Sequence, residues 1–357
     1  MTIPRGWELI TLQQAYAPRA ARQYTVAGML VRPGLSMLYG RPGGLKSMLA
    51  MDLCLHIATG TPWLPDKGGA PCSATRATTQ GGVVWVDLDM GRDEVLDRLA
   101  ALGRGMVAPP DAQMTVVSLP DPAFDGGDHR SWGYLEQIVK DRQAVQVVID
   151  NFNAALAGVD ENSSDVGPIM THAKDFTKTT GVNLLFVHHP TKGRSNGGNP
   201  GDSLRGHGSI LAKLDLALLV TRERDDDRVR VVATKSRGAP VKAFDAEWYH
   251  ALGPDGLTLD VAQFFGAGST YGGAIVALDS LILAVVKSSP GIVQRDLVAQ
   301  VQKQAPTGAT YTGQAFVKNR LDILAANGEI EDRRGGPGNA HRYYPVDSFF
   351  QAMHQRP

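Results

Sequence analysis

The sequence is poor in cysteine, has no excess of charge of either sign and contains no long apolar run. Its 357 residues include 2 cysteines, too few for a disulfide framework or a cysteine-rich metal site. The 36 basic and 36 acidic residues cancel, so any site for a polyanion must be a local patch. No apolar run reaches the roughly 20 residues of a membrane span, and the first residues lack a signal pattern. We therefore expect a cytoplasmic protein of two or three domains.

The stretch at 35–60, LSMLYGRPGGLKSMLAMDLCLHIATG, predicts a strand, a glycine-rich turn and a helix in succession. Gly40, Lys46 and Ser47 fit the phosphate-loop template G-x-x-x-x-G-K-S/T, and Leu45 stands where the template has its second glycine. We expect the backbone of Leu45 to be ordinary, because the residue enters a helix. The alternative is a glycine turn before a core helix that binds nothing. The predicted nucleotide-binding residues are Gly40, Pro42, Gly43, Gly44, Leu45, Lys46, Ser47 and Met48.

Three further strands are predicted to end in polar residues at the carboxyl edge of one parallel sheet, where α/β proteins bind ligands. GVVWVDLDM ends in Asp87 and Asp89, which alternation places on one face. AVQVVIDN closes on Asp150, and GVNLLFVHHP closes on His188 and His189. Ahead of these strands, residues 61–82 are rich in Pro, Gly, Ser and Thr and predict a long, flexible surface loop.

These residues have distinct predicted roles toward a bound triphosphate. Lys46 contacts the β and γ phosphates, while Ser47 and Asp150 hold Mg²⁺. Asp89 activates the attacking water, and one of the two histidines senses the γ phosphate. Each role has a structural alternative, because an aspartate after a strand also caps a helix and a lone histidine is more often a structural residue.

Two basic segments follow the histidine strand. TKGRSNGGNPGDSL, at 191–204, carries Lys192 and Arg194 where no regular element can form, and it either contacts a phosphate backbone or is only a surface loop. RVRVVATKSRGAPVKAFDAEW, at 228–248, predicts two strands joined by a turn, with Lys235 and Arg237 projecting from the tip. An arginine in such a place can enter the active site of a neighbouring subunit.

The order of these parts over residues 34–248 resembles the RecA-type ATPases of the hexameric DnaB and plasmid RepA replicative helicase group. The resemblance implies an α/β, RecA-like P-loop core with a mostly parallel central sheet. VDLDM is similar to the strand that carries the catalytic glutamate of that group, which implies Asp89 as the water-activating residue. TKSRGAP resembles its hairpin with a lysine and an arginine finger, which implies that Lys235 contacts the γ phosphate and Arg237 acts on the next subunit.

The end of the chain predicts a separate small domain. Helices are expected at 274–287, 292–304 and 311–327, with two short strands in 329–346, and three helices with a hairpin make a winged helix. Its polar and basic residues either contact DNA or form the solvated rim of a docking module. They are Lys318, Asn319 and Arg320 of the third helix and Arg333, Arg334, His341 and Arg342 of the wing. The predicted domains are 1–33, a lead-in without assigned chemistry, 34–262, the RecA-like ATPase domain, 263–273, a linker, and 274–357, the winged-helix domain.

These patterns lead to one functional hypothesis with two alternatives. The hypothesis is an ATP- and Mg²⁺-dependent ring, a hexamer, that moves along single-stranded DNA and unwinds forked duplex in replication of a plasmid, phage or mobile element. The alternatives are a recombinase-like or loader ATPase that does not unwind DNA, and a DNA-binding regulator switched by ATP. The predicted nucleic-acid contacts are Lys192, Arg194, Arg205, Lys318, Arg333 and Arg334.

Overall fold

The structure, a computed structural model, describes residues 9–189, 208–223, 226–267, 270–304, 314–326, 329–335 and 340–346. The chain divides into two compact units, Met1–Gly268 and Ser269–Pro357, here called unit 1 and unit 2. The predicted DNA contacts Lys192, Arg194 and Arg205 lie outside the described residues.

Unit 1 alternates strands and helices for most of its length and closes with antiparallel strands. Its elements are α1 (Leu12–Tyr16), β1 (Gln23–Val26), β2 (Leu30–Arg32), β3 (Gly34–Tyr39), α2 (Lys46–Thr59), β4 (Gly82–Asp87), α3 (Arg92–Gly105), β5 (Met114–Ser118), α4 (His129–Asp141), β6 (Ala144–Asp150), α5 (Phe152–Ala155), α6 (Val166–Thr180), β7 (Asn183–His188), α7 (Gly208–Lys213), β8 (Leu216–Arg222), β9 (Arg228–Ser236), β10 (Phe244–Leu252) and β11 (Leu259–Ala267).

A nine-stranded sheet in the order β11-β10-β9-β8-β3-β7-β6-β4-β5 forms the centre of unit 1. The strands from β8 to β5 are mutually parallel, whereas β9, β10 and β11 extend the sheet in antiparallel fashion. The chain moves to one side of β3 to form β4 and β5 and later to its other side to form β8. The end of β3 is therefore a topological switch point, where open α/β sheets bind their ligands. The mostly parallel sheet agrees with the predicted fold class.

The register of the parallel strands brings their carboxyl ends level with one another. Tyr39 at the end of β3 pairs with His188, Val187 pairs with Asp150, and Asp150 pairs with Asp87. We call this side of the sheet the carboxyl edge and the opposite side, where β3 begins, the amino edge. The polar residues that end four neighbouring strands thus come together at the carboxyl edge.

The helix α2, which begins at the phosphate loop, lies in the core of unit 1. Twelve of its fourteen residues are buried, although its sequence has no pronounced apolar stripe. A helix that is apolar all round is expected where every face is covered. The residues that pack with it come from the sheet, from α3 and from β11.

Two predicted loops are instead parts of this packed core. Trp63, within the predicted flexible loop at 61–82, is 2% exposed, and its Nε1 donates a hydrogen bond to Asp52 Oδ2 of α2 at 2.9 Å. The predicted linker at 263–273 is wrong over 263–267, which belong to β11, where the Phe264 N–H donates to Asp52 Oδ1 at 3.2 Å. Burial of these aromatic rings against α2 outweighs the loop-forming tendency of the surrounding glycines and prolines.

Unit 2 contains α8 (Thr270–Ser288), β12 (Ile292–Val293), α9 (Gln294–Gln304), α10 (Gln314–Ala326), β13 (Ile330–Gly335) and β14 (Ala340–Pro345). Its strands form an antiparallel sheet in the order β12-β14-β13, and its core includes Ile282, Leu297, Leu321 and Tyr343. This order of helices and strands is the one expected of a winged helix, which stays a prediction here. No helix among the described residues is both long enough and apolar enough to span a membrane.

Candidate functional site

The turn between β3 and α2 has a backbone that depends on glycine. Gly40 has φ of 154°, and a Cβ added there would lie 2.2 Å from the Val220 carbonyl oxygen. Gly43 has φ of 75°, in the left-handed region that glycine adopts without strain. The Gly44 N–H donates to the Arg41 carbonyl at 3.3 Å and closes the turn. The loop therefore leads directly into the amino end of α2, where backbone N–H groups and the helix dipole favour an anion.

Leu45 has an unusual backbone for a leucine. It caps α2 with φ of 60° and ψ of 18°, so it is left-handed, and the expectation of an ordinary backbone is wrong. The residue occupies the second glycine position of the template, and the geometry of the loop requires the left-handed conformation there whichever residue is present. A side chain in that conformation costs about 1–2 kcal/mol. The half-buried Leu45 side chain packs against the core cluster around α2, and this contact offsets part of the cost.

Lys46 is a buried cation held inside the loop. It is 2% exposed, and its Nζ donates to the Arg41 carbonyl at 2.7 Å. Burial lowers the pKa of Lys46 to about 8, and the charge of Asp150 offsets part of that effect. A partly desolvated ammonium at a helix amino terminus gains strongly from an incoming phosphate, because the phosphate replaces the water that the lysine has lost.

Asp150 and Ser47 form a pair that fits a divalent cation. Asp150 is 3% exposed, and burial raises its pKa to about 6, against a hydrogen bond from the Ser47 side chain that lowers it. Its Oδ2 atom has no hydrogen-bond partner among the described residues. A buried carboxylate oxygen without a partner is costly unless a cation satisfies it. Carboxylate and hydroxyl oxygens are also the ligands that Mg²⁺ prefers, so these two residues fit that ion.

Asp87 has a structural part in the turn after β4. The strand ends at this residue, so Asp87 and Asp89 do not share a strand face as predicted. The Asp87 carboxylate is fully buried and accepts hydrogen bonds from the Asp89, Met90 and Gly91 N–H groups and from Ser118 Oγ, at 2.7–3.2 Å. Burial would raise its pKa, but these hydrogen bonds outweigh burial and lower it.

Asp89 lies beyond the strand and faces the cleft. Its side chain is exposed, and its Oδ2 accepts a hydrogen bond from Asn151 Nδ2 at 3.0 Å. Asn151 directly follows Asp150 and is itself fixed, since its Oδ1 accepts from the Ala154 N–H at 3.0 Å. The position of Asp89 is therefore tied to the end of β6. From there its free carboxylate oxygen can accept a proton from a water near the phosphate loop.

The two histidines at the end of β7 lie in different surroundings. His188 is 2% exposed, its Nε2 is 3.6 Å from Glu161 Oε2, and burial lowers its pKa to about 3, with the charges of His189 and Lys46 adding to the effect. His189 is half-buried, lines the cleft, and has a pKa lowered by burial and then by Lys46. Its carbonyl accepts from Asn153 Nδ2 at 3.2 Å. His189 thus has access to a ligand, whereas His188 supports it from the core.

One cleft of about 670 Å³ joins these groups. It also has a second wall that the sequence patterns did not indicate. This wall comes from α3 and from the turn between β10 and β11, and only the long-range pairing of the antiparallel strands brings the two together. A faint signal was the i,i+4 pair of Glu94 and Arg98 directly after Asp89. The residues added by this wall are Met90, Glu94, Asp97, Arg98, Trp248, Leu257, Thr258 and Leu259.

Lys235 and Arg237 lie at the amino edge, away from this cleft. Lys235 is within β9, opposite Ala217, and donates to the Leu211 and Ala212 carbonyls at the end of α7. Arg237 also donates to the Ala212 carbonyl, and its side chain is 53% exposed. The prediction that both project freely from a tip is therefore wrong. Arg237 is level with the start of β3, because its N–H donates to the Asp215 carbonyl and the Asp215 N–H donates to the Leu35 carbonyl. The six residues of β3 therefore separate Arg237 from the other end of that strand by about 20 Å, and its side chain does not reach the phosphate loop of its own chain. The Lys235 amino group is held at α7 instead.

Most of the basic residues predicted to contact DNA in unit 2 have partners within it. Arg320 forms a two-pronged ion pair with Asp279, at 2.8 and 2.5 Å, so it holds α10 against α8. Lys318 and Arg334 remain exposed. The other paired residues are Arg333 with Glu331, His341 with Asp332, and Arg342 with the carbonyls of Gly291 and Gly335.

Comparisons with known proteins give one family and two solved structures of similar fold. A family model described as an AAA domain matches residues 8–195, more than half of the chain. The ATPase domain of G40P is similar with a TM-score of 0.46 and 14% identity, over 60% of this chain and 81% of that one. A DnaB-like replicative helicase, described with its interactions with primase, is similar with a TM-score of 0.47 and 15% identity, over 60% of this chain and 55% of that one. This chain thus spans about half of the second structure. No curated protein matches.

Proposed function

We propose a function on the premise that this chain belongs to the AAA domain family of P-loop ATPases. In this proposal the protein is a Mg²⁺-dependent ATPase that forms a hexameric ring. The ring moves along single-stranded DNA and unwinds forked duplex. Its setting would be replication of a plasmid, phage or similar element. The observation that carries the proposal is the single cleft shared by Lys46, Ser47, Asp89 and Asp150. Action on DNA is supported by the order of the motifs, and assembly of several copies is supported by the position of Arg237 away from the phosphate loop of its own chain.

The start of α2 and the end of β6 provide the groups that bind the triphosphate. Lys46 would exchange its bond to the Arg41 carbonyl for the β and γ phosphate oxygens. Ser47 and Asp150 would hold Mg²⁺, which neutralises charge that develops between those phosphates. The Gly43 N–H group and the amino end of α2 would complete the cradle.

The cleft also contains groups suited to the attacking water. Asp89, oriented by Asn151, would accept the proton of that water as it attacks the γ phosphorus. His189 would contact the γ phosphate while it is present. The hydrogen bond between the His189 carbonyl and Asn153 links this contact to the start of α5, so loss of the phosphate would be felt in the segment at 153–165. In the proposal, this segment and the one at 191–204 shift along the DNA strand.

Arg237 would act between subunits. Because it lies about 20 Å from the phosphate loop of its own chain, it can only serve a nucleotide held by another copy. An arginine supplied in this way is worth about 10³–10⁵ in rate in other phosphoryl-transfer systems. Hydrolysis would then require the assembled ring, and Lys235 would support the same phosphate.

The test is phosphate release by purified protein with Mg²⁺-ATP, with and without single-stranded DNA. Lys46→Ala should abolish release, whereas Lys67→Ala should not, because Lys67 is an exposed lysine that is paired with Glu247 and does not line the cleft. A forked-duplex displacement assay separates a helicase from an ATPase that only binds or loads on DNA. Retention of ATP with no release, with or without DNA, would favour the ATP-switched regulator. Failure of the wild-type protein to bind ATP would overturn the proposal.

A further inference from the structure

A second cleft, of about 400 Å³, lies at the amino edge of unit 1. Three of the residues that line it are arginines, Arg22, Arg32 and Arg237, and Asp215 is the acid among its lining residues. Two of these arginines belong to the lead-in segment at 1–33, to which the sequence patterns assign no chemistry. The cleft therefore brings that segment next to the arginine proposed to act between subunits.

The Asp215 carboxylate is already paired with groups other than these arginines. Its Oδ2 accepts from the Leu35 N–H at 2.8 Å and forms an ion pair with Lys174. Its Oδ1 is 3.9 Å from Arg237 Nη1, beyond hydrogen-bond distance. The cleft thus has an excess of positive charge that no acidic side chain in its lining balances. Guanidinium groups gathered in this way are typical of sites for phosphate oxygens.

The fold fixes the positions of these arginines. In the hairpin of β1 and β2, Gln23 pairs with Arg32, so Arg22 and Arg32 leave the same end of the hairpin. Val26 and Leu30 anchor the hairpin because both are fully buried. Further anchors are the hydrogen bonds from Thr25 Oγ1 to Gln146 Oε1, at 3.0 Å, and from Asn183 Nδ2 to the Val31 carbonyl, at 2.8 Å.

Arg22 reaches the residue that follows Arg237. Its Nη1 lies 4.0 Å from the position a Cβ would have on Gly238, so the guanidinium is within van der Waals distance of the turn that follows Arg237. Arg32 is already engaged through Nε with the Gly181 carbonyl at 3.2 Å. Arg22 is exposed and has no hydrogen-bond or ion-pair partner within the part of the chain that the structure describes. It is the guanidinium in this cleft that is most available to a ligand.

We propose that this cleft receives the terminal phosphate of the nucleotide bound by a second copy of the chain, and that Arg22 contacts it together with Arg237. The inference deepens the proposed function and rests on it. The distance across β3 excludes the nucleotide of the same chain, so the phosphate must come from another molecule. A neighbouring copy of the chain holds such a phosphate at its carboxyl edge. Copies whose carboxyl edge contacts the amino edge of the next copy form the head-to-tail contacts of a ring.

The first experiment compares Arg22→Ala with Arg19→Ala, the matched control on the same segment, which does not line this cleft. Phosphate release by Arg22→Ala should fall about 10- to 100-fold in kcat, less than expected for the finger itself, while Arg19→Ala stays near wild type. The mass of the assembled particle, measured by light scattering, must be the same for wild type, Arg22→Ala and Arg19→Ala, which shows that the substitutions leave assembly unchanged. Unchanged kcat in Arg22→Ala would overturn the proposal.

The second experiment mixes a variant of low activity with an inactive one. In rings formed from equal amounts of Arg22→Ala and Lys46→Ala, about one quarter of interfaces combine an intact phosphate loop with an intact Arg22 from the neighbour. Activity should return to about that fraction of wild type, and the same should hold for Arg237→Ala with Lys46→Ala. If ATPase activity recovers in the mixture with Arg237→Ala but not in the mixture with Arg22→Ala, the role of Arg22 is refuted and the proposed function is not.

A nucleic-acid backbone is the competing occupant of a cleft with this charge. If Arg22→Ala loses retention of labelled single-stranded DNA on a filter but keeps its DNA-independent turnover, the cleft serves DNA and the proposal is wrong. If wild-type protein releases no phosphate and neither mixture shows activity, the fault lies with the proposed function and not with the assignment of Arg22.

Discussion

The left-handed backbone of Leu45 predicts that glycine is more stabilising than alanine at this position, the reverse of the usual order in a helix. At an ordinary helical position, replacing alanine by glycine destabilises a protein, because glycine loses more freedom on folding, by about 0.5–1 kcal/mol. At φ of 60°, an alanine carries the Cβ strain of about 1–2 kcal/mol, and glycine does not. The difference of these two effects leaves Leu45→Gly more stable than Leu45→Ala by about 0.5–1 kcal/mol.

Comparison of the two variants removes the contribution of packing. Both lose the half-buried leucine side chain, which packs against the core beside α2, and so both lose the same apolar contact apart from one methyl group. Relative to wild type, Leu45→Gly should be near neutral, since relief of strain of about 1 kcal/mol offsets much of the lost burial of a half-buried leucine. Leu45→Ala should be clearly less stable, because it loses the contact and keeps the strain.

Urea unfolding followed by tryptophan fluorescence measures this difference within unit 1, because every tryptophan of the chain lies before residue 268. The control is Ala100→Gly, at an exposed position in the interior of α3, where glycine should cost about 1 kcal/mol. The glycine-minus-alanine difference must then have opposite signs at residues 45 and 100. If Leu45→Gly is less stable than Leu45→Ala, the left-handed assignment and the argument built on it are refuted.

Three other expectations follow from the charges described above. Mg²⁺ affinity, measured by calorimetry with ADP, should fall as pH drops below about 6. Burial raises the pKa of Asp150 to about 6, so protons then compete with the cation for this carboxylate. An affinity that does not change with pH would contradict this expectation. Asp52→Asn should become more stable relative to wild type as pH rises from about 4 to about 7. Burial raises the pKa of Asp52 to about 7, so in this window the folded wild type holds a proton that the unfolded chain does not, and it loses stability as pH rises. A pH-independent difference between the two urea midpoints would refute this expectation. Arg320→Ala should destabilise unit 2 by about 1–3 kcal/mol, because it leaves Asp279 unpaired, while Lys318→Ala stays within about 0.5 kcal/mol, which thermal unfolding of the two variants can compare.

The parallel part of the sheet was accessible from the sequence because each strand carries its signal locally. Buried runs of Val, Ile and Leu that close on a polar residue predicted β3, β4, β6 and β7 within a few residues, and the glycine turn predicted the start of α2. The match to the AAA domain family confirms the P-loop ATPase class. The placement of Asp150 beside the loop followed from strand direction alone, since the carboxyl ends of parallel strands share an edge.

What the sequence did not reveal depends on residues far apart in the chain. The second half of β11, residues 263–267, was mistaken for a linker because Gly266 and the glycines that follow it are local signals, whereas the pairing of β11 with β10 and its packing on α2 are not. Arg320 was left open as a DNA contact or a solvated rim residue because Asp279, its partner, lies 41 residues away. Lys235 and Arg237 were expected to be free because α7, whose carbonyls they bind, is joined to them only by tertiary structure.

The burial of α2 determines which parts of such a machine can move. A helix with twelve of its fourteen residues enclosed cannot shift against the sheet without opening the interior of unit 1. The phosphate loop is therefore fixed relative to the sheet of unit 1. In the proposed ring, movement would then arise where one copy of the chain meets the next. Substitutions that loosen α2 should accordingly lower the yield of folded protein, while those that alter speed or coupling should cluster on the outer surface.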